Sequence, residues 1–167
     1  TLDVLILNHG VNPKGSQSRE DLNKAIEVNA LSSWRLMESF EEIAMQSNNL
    51  SRARELWVNT SEAEIQPALS PAYEISKRLI GQLVSLRWSN TSKNQRKNLT
   101  IRKLVLGPFK SELNPLGLMS PDFVAAQIIK QAEWKCNLII VTPNPITYIV
   151  MPITELFRLV YSRLMLY

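Results

Sequence analysis

The sequence predicts an α/β domain, a doubly wound parallel sheet of about four strands with flanking helices. Three observations predict it. Four short apolar runs, "LDVLIL" (2–7), "ELWVNT" (55–60), "LTIRKLVL" (99–106) and "NLIIVTP" (137–143), have the length and near-continuous hydrophobicity of strands buried on both faces. Each is followed by a segment with helical periodicity, and strands joined through whole helices run parallel. The composition, 45% hydrophobic and 20% charged over 167 residues, suits one domain with a real core.

The elements follow in order. The first strand ends in "NHGVNPKG", a polar loop marked by Gly and Pro. From Glu20 to about Gln46 the residues Leu22, Ile26, Ala30, Leu31, Trp34, Met37 and Ile43 recur at helical spacing. After the second strand a loop leads to Pro71, a favoured first-turn residue, and a helix runs to about Trp88. The basic stretch "SKNQRKNLTIRK" (92–103) reads as a solvated loop leading into the third strand. That strand ends in "GPFKSELNP". The next helix, 120–134, has Ser120 as its cap and Pro121 at its first position. The tail, 146–167, reads as an apolar helix broken near Pro152.

Composition narrows the chemistry. A net charge of +4 is spread along the chain, and no aromatic residues interleave with the one basic stretch, so no nucleic-acid partner is expected. Cys136 is the one cysteine and His9 the one histidine, which excludes an intrachain disulfide and gives no metal-ligand spacing. His9 is expected to line a site or support structure. Trp34, Trp57 and Trp88 are expected as core or interface anchors.

In such sheets ligands sit beyond the carboxyl ends of the strands. Asn8, Ser61 and the run from Gly107 to Ser111 fall there. A loop beyond the second strand, "SPAYEISKRLIG" (70–81) carries Tyr73 and Lys77 one helical turn apart. A phenol near its ordinary pKa of about 10 is a poor proton relay at neutral pH, and a neighbouring ammonium makes it a better one.

These motifs together resemble the short-chain dehydrogenase/reductase family, over roughly residues 1 to 145. "LDVLILNHG" resembles the family's Asn-Asn-Ala-Gly strand end, with Asn8 and Gly10 kept and Leu7 and His9 departing. "EVNALS" (27–32) resembles the helix that carries the active-site asparagine, here Asn29. "WVNTSEAE" resembles the strand bearing the catalytic serine, and "YEISK" the Tyr-x-x-x-Lys core. "LGPFKS" (106–111) resembles the loop that meets the nicotinamide. The resemblance implies a Rossmann-like fold, here its C-terminal half. It also implies an NAD(P)-dependent exchange of a carbonyl and an alcohol, with the choice between NAD and NADP unreadable. Tyr73 is then the acid/base, Lys77 tunes it and binds the nicotinamide ribose, Ser61 orients the substrate oxygen, and Asn29 supports the relay. Asn8, Gly10, Lys77, Gly107, Pro108, Phe109 and Ser111 are implied to line the cofactor. The serine position admits three occupants. Thr60 has the family's spacing to the tyrosine, Ser61 requires a loop shortened by one residue, and an ungapped strand alignment gives Glu62. Ser61 is preferred.

The family's Gly-rich coenzyme turn is absent. None of the five glycines, Gly10, Gly15, Gly81, Gly107 and Gly117, forms Gly-x-x-x-Gly-x-Gly. The chain begins where the family's fourth strand would, so the chain alone is expected to bind dinucleotide poorly. Residues 1–145 are therefore read as the catalytic part of the domain. Residues 146–167 are read as an apolar helix for a membrane surface, a homodimer or another domain. A membrane-facing helix would suit a lipophilic substrate and a cytoplasmic or membrane-associated protein. The rival reading is a non-catalytic module of the same fold that serves membrane or protein interaction.

Overall fold

The computed structural model describes residues 2–46, 53–92 and 95–165. Four strands, β1 (Val4–Leu7), β2 (Arg54–Asn59), β3 (Leu99–Leu106) and β4 (Leu138–Val141), form one sheet in sequence order. All three pairings are parallel; Leu7 lies beside Val58, Asn59 beside Leu104, and Leu106 beside Val141. The ends of β1, β2 and β3 therefore open on one edge. The strands fall where the apolar runs predict them.

The predicted first helix is three consecutive pieces. Helix α1 (Arg19–Ile26) passes through a π-helical turn, Glu27–Leu31, into α2 (Ser32–Gln46). Ser18 caps α1 by accepting from the Asp21 backbone N–H. Helix α3 (Pro71–Asn90) joins β2 to β3, with a short 3₁₀ turn, Glu62–Glu64, before it. The basic stretch is not all loop: α4 (Gln95–Asn98) interrupts it, stabilised by reciprocal bonds between Ser92 and Gln95. Helix α5 (Pro121–Glu133) starts on Ser120, which accepts from Phe123 N.

Helix α6 (Pro145–Met165) corrects the expected break: it continues through Pro152. Pro152 is exposed, so the carbonyl that loses its N–H partner can meet solvent. Buried Met151 and Glu155 hold the turns on either side. No helix among the described residues is long and apolar enough to cross a membrane.

Alternation along the strands divides the core. Leu56, Val58, Leu99 and Ile101 pack with Met37 and Phe40 of α2 and Ile80 and Val84 of α3. Val105 and Ile140 pack with Met151 of α6. Leu104, Leu106, Ile139 and Val141 point to the other face and meet Val124 of α5. Beside them, Val4 and Ile6 of β1 stay 38% and 54% exposed. The sheet is thus covered on both faces at β3 and β4 and on one face only at β1. The tryptophans act as anchors: Trp88 Nε1 donates to Ile101 O, Trp57 Nε1 to Glu55, and Trp34 lies under the Arg87 guanidinium.

Candidate active site

The strand ends frame a cavity of about 1020 Å³. Asn8, His9 and Gly10 line it from the end of β1, Asn59 to Glu62 from β2, and Gly107 to Phe109 from β3. Tyr73 and Lys77 enter from α3, and Ser111 from the loop after β3. All seven residues proposed for the cofactor and three of the four proposed for catalysis therefore share one cavity. Asn29 is the exception.

Asn29 sits in the π turn, 2% exposed, with every side-chain hydrogen bond internal. Its Oδ1 accepts from Val11 N at 2.7 Å, and its Nδ2 donates to Val11 O at 2.9 Å and Ser76 Oγ at 2.8 Å. It ties the loop after β1 to α3 and so fixes the helix that carries Tyr73 and Lys77. A mid-helix asparagine is unfavourable by propensity, and the π turn is where the ladder yields to accommodate it. Gly10 packs against the same amide, where an added Cβ would stand 3.1 Å from Asn29 Oδ1.

The three candidates for the serine position face different ways. Thr60 Oγ1 donates to Leu104 O and belongs to the β2–β3 pairing. Glu62 Oε2 accepts from Thr142 Oγ1 at 2.5 Å and binds the turn to the end of β4. The Ser61 hydroxyl and the Tyr73 phenol line the same cavity. Ser61 Oγ accepts from Ala63 N at 3.2 Å and so caps the 3₁₀ turn.

Lys77 Nζ lies 5.8 Å from the Tyr73 ring centroid and donates to Asn59 O at 3.2 Å. An ammonium has three N–H groups, and this is its one hydrogen bond among the described residues. Burial pulls Lys77 down to about 8, with the Glu64 carboxylate opposing. Burial pushes the Tyr73 phenol above its ordinary value, eased by Ser61 and worsened by Glu62. Desolvation thus outweighs the tuning expected from sequence: the phenol stays neutral, and the lysine, near 8, is still mostly ammonium at neutral pH but holds its proton less firmly than in water.

Sequence reasoning missed Asn59. Its Oδ1 is buried without a hydrogen-bond partner, its Nδ2 donates to Asn8 Oδ1 at 2.5 Å, and its carbonyl holds Lys77. The signal was available, since Asn59 follows Val58 as Asn8 follows Leu7, the two residues that pair across β1 and β2. Gly107 is required by a close approach: a Cβ there would fall 2.3 Å from Thr142 Oγ1. His9 bonds Ser32 Oγ at 2.8 Å on the cavity wall. Among the described residues no cluster of His, Cys, Asp or Glu could hold a metal.

The fold has counterparts among solved structures. A short-chain dehydrogenase from Sphingobium yanoikuyae, solved in complex with NADPH, superposes with TM-score 0.73 at 14% identity, over 93% of this chain and 63% of that one. The chain has the C-terminal part of the short-chain dehydrogenase fold. The bulky-bulky ketone-specific alcohol dehydrogenase from Comamonas testosteroni shares that fold with TM-score 0.71 at 13% identity, over 96% and 62% of the two chains. In sequence, the chain is 46% identical over 162 residues to the monoglucosyldiacylglycerol epimerase of Synechocystis. That match takes in 97% of this chain and 38% of the relative, so the chain spans well under half the relative's length. No family model matches the chain.

Proposed function

We propose that this chain is the catalytic half of an NAD(P)-dependent short-chain oxidoreductase that interconverts an alcohol and a carbonyl on a lipophilic substrate. The observation that carries the reading is the convergence of Ser61, Tyr73 and Lys77 on one cavity at the strand ends. Its fit to a dinucleotide rests on two buried groups with bonding capacity to spare: the Lys77 ammonium and the Asn59 Oδ1. Lys77 and Asn59 would hold the ribose end, and Gly107 to Phe109 the nicotinamide. The bound cofactor supplies a hydride acceptor and donor. Tyr73 Oη takes the proton of the substrate hydroxyl as the carbonyl forms and returns one in the reverse direction. Ser61 donates to the substrate oxygen and orients it. Lys77 holds its charge more firmly once its empty N–H positions meet ligand oxygens, and that charge makes the phenolate accessible. The exposed β1 edge and its bare apolar face suit a further strand and helices carrying the pyrophosphate site.

The chemistry extends to epimerisation, the activity in the name of the Synechocystis relative. A carbinol oxidised to a ketone and reduced from its opposite face inverts configuration. The proton held by Tyr73 and the hydride both return, so the sum is redox-neutral. We assign the substrate to the glycosyl diacylglycerols on two grounds: that relationship, and the exposed leucines at the cavity rim, Leu69 and Leu116, 103% and 89% exposed. A diacylglycerol lipid resides in a bilayer, and α6 offers exposed Ile149, Ile153, Leu156, Phe157, Val160 and Leu164 for peripheral contact with it.

The test of the chemistry is Tyr73→Phe in the full-length protein with NAD(P) and monoglucosyldiacylglycerol. Turnover should fall about 10²–10⁴-fold; unchanged turnover removes the role. The test of α6 is co-sedimentation with vesicles containing monoglucosyldiacylglycerol after Phe157→Ser and Leu164→Ser. Binding should drop, whereas unchanged binding together with a change from dimer to monomer would assign the face to a homodimer.

A further inference from the structure

A second lysine, Lys103, is fully buried in the central strand and takes no part in lining the cavity. The three N–H groups of its Nζ have four acceptors in reach: Glu64 Oε2 at 2.6 Å, Glu155 Oε1 at 2.9 Å, Gly81 O at 3.0 Å and Ser85 Oγ at 3.1 Å. Arg158 reaches the same cluster, 3.3 Å from Glu155 Oε1 and 3.1 Å from Ser85 Oγ. Glu64 itself occupies a made-to-measure gap. A Cβ on Gly81 would fall 1.9 Å from Glu64 Oε2 and 2.1 Å from its Cδ, so any side chain there evicts the carboxylate. Four segments meet at this point: β3, the 3₁₀ turn after Ser61, the helix of Tyr73 and Lys77, and α6.

We infer that Glu64 is a positioning residue of the active site: seated on Gly81 and clamped by Lys103, it locks the Ser61 turn onto α3 and fixes a negative charge behind Lys77. This deepens, and rests on, the reading of Tyr73 and Lys77 as the proton-relay pair. The charges that bear on the site are assignable. At Lys77, Glu64 is the carboxylate that works against burial, while Asn59 O and the Tyr73 ring are its other neighbours. At Glu64, burial pushes the carboxyl up, Lys103 pulls it down, and Glu155 adds to the upward push. Arg158 offsets Glu155 from the outer side. Glu62 acts on Tyr73 rather than Lys77. Lys103, paired with Glu64 at 2.6 Å, opposes the upward push on that carboxyl. Gly81, on which the carboxylate sits, lies one helical turn from Lys77 on α3, so negative charge on Glu64 supports the Lys77 ammonium.

The experiment is NMR of ε-¹³C-labelled lysine in the full-length protein, with the Lys77 signal assigned by its loss in Lys77→Met. It needs no turnover. Glu64→Gln keeps the shape and removes the charge; the Lys77 midpoint should fall by about one unit, a tenfold change in protonation. Glu64→Asp should restore part of it. Glu155→Gln disturbs the same cluster and should leave the midpoint within a few tenths of a unit, separating the effect from general loosening. If Glu64→Gln does not fold, Gly81→Ala displaces the carboxylate instead and should shift the midpoint the same way. An unchanged midpoint in whichever variant folds, or an equal shift in Glu155→Gln, overturns the inference. A shifted midpoint in a protein without NAD(P)-dependent turnover supports the Glu64–Lys77 coupling and overturns the oxidoreductase reading.

Discussion

Lys77, on helix α3, and Lys103, on β3 against it, are both buried lysines, and they differ in company. Lys103 has four acceptors, two of them carboxylates. Lys77 has one backbone carbonyl, and burial depresses its pKa to about 8. A buried charge with all its partners is framework, because removing either side strands the other. A buried charge with vacant donors on a cavity wall is maintained at a cost to stability, and a ligand that fills those positions recovers that cost. The difference separates the scaffold from the site without reference to any relative.

The largest expected effect lies on the framework side. Lys103→Met leaves Glu64 and Glu155 buried without their shared ammonium, with Arg158 paired to Glu155 alone, and should cost about 3–5 kcal/mol in chemical denaturation. A cost under about 1 kcal/mol would place Lys103 among dispensable charges. Next is Lys77→Met, with opposite signs for function and stability. Turnover should fall by roughly 10²–10³-fold, while stability at pH 7 should rise by about 1–2 kcal/mol. The sign follows from linkage. A lysine depressed to about 8 in the folded state is neutral there while still charged in the unfolded chain, up to its ordinary 10.5. The unfolded state therefore binds more protons between these values, and wild-type stability from this group rises with pH across the window. The advantage of Lys77→Met should be full below about pH 8 and gone above 10.5. An advantage independent of pH would trace it to packing instead.

Smaller effects distinguish the turn residues. Ser61→Ala should lower turnover about 10²-fold with little change in Tm. Thr60→Ala should do the reverse and cost about 1 kcal/mol, since its hydroxyl bonds the neighbouring strand. Equal turnover losses in the two would return the serine position to ambiguity.

The residues that share the cavity were legible where their spacing is local. Tyr73 and Lys77 are one helical turn apart, and Asn8, Gly10 and Gly107 sit at strand ends that hydrophobic runs mark out. The neighbours of Thr60, Ser61 and Glu62 differ only in three dimensions, because adjacent residues at a strand end face different partners. The framework was illegible for a similar reason. "LTIRKLVL" reads as an apolar strand with incidental charges, and the partners of Lys103 lie 39 and 52 residues away. Pro152 misled because a lone proline reads as a helix breaker, while burial of Met151 and Glu155 on either side carries the helix through.

The most direct measurement is the titration of Lys77 in the full-length wild-type protein, with and without NADPH. The expected midpoint is about 8 in the free protein, rising by about one unit or more when ligand oxygens occupy its free donors. A midpoint at the ordinary lysine value, unmoved by NADPH, would contradict the assignment of Lys77 as a ligand-ready ammonium and the active site built around it.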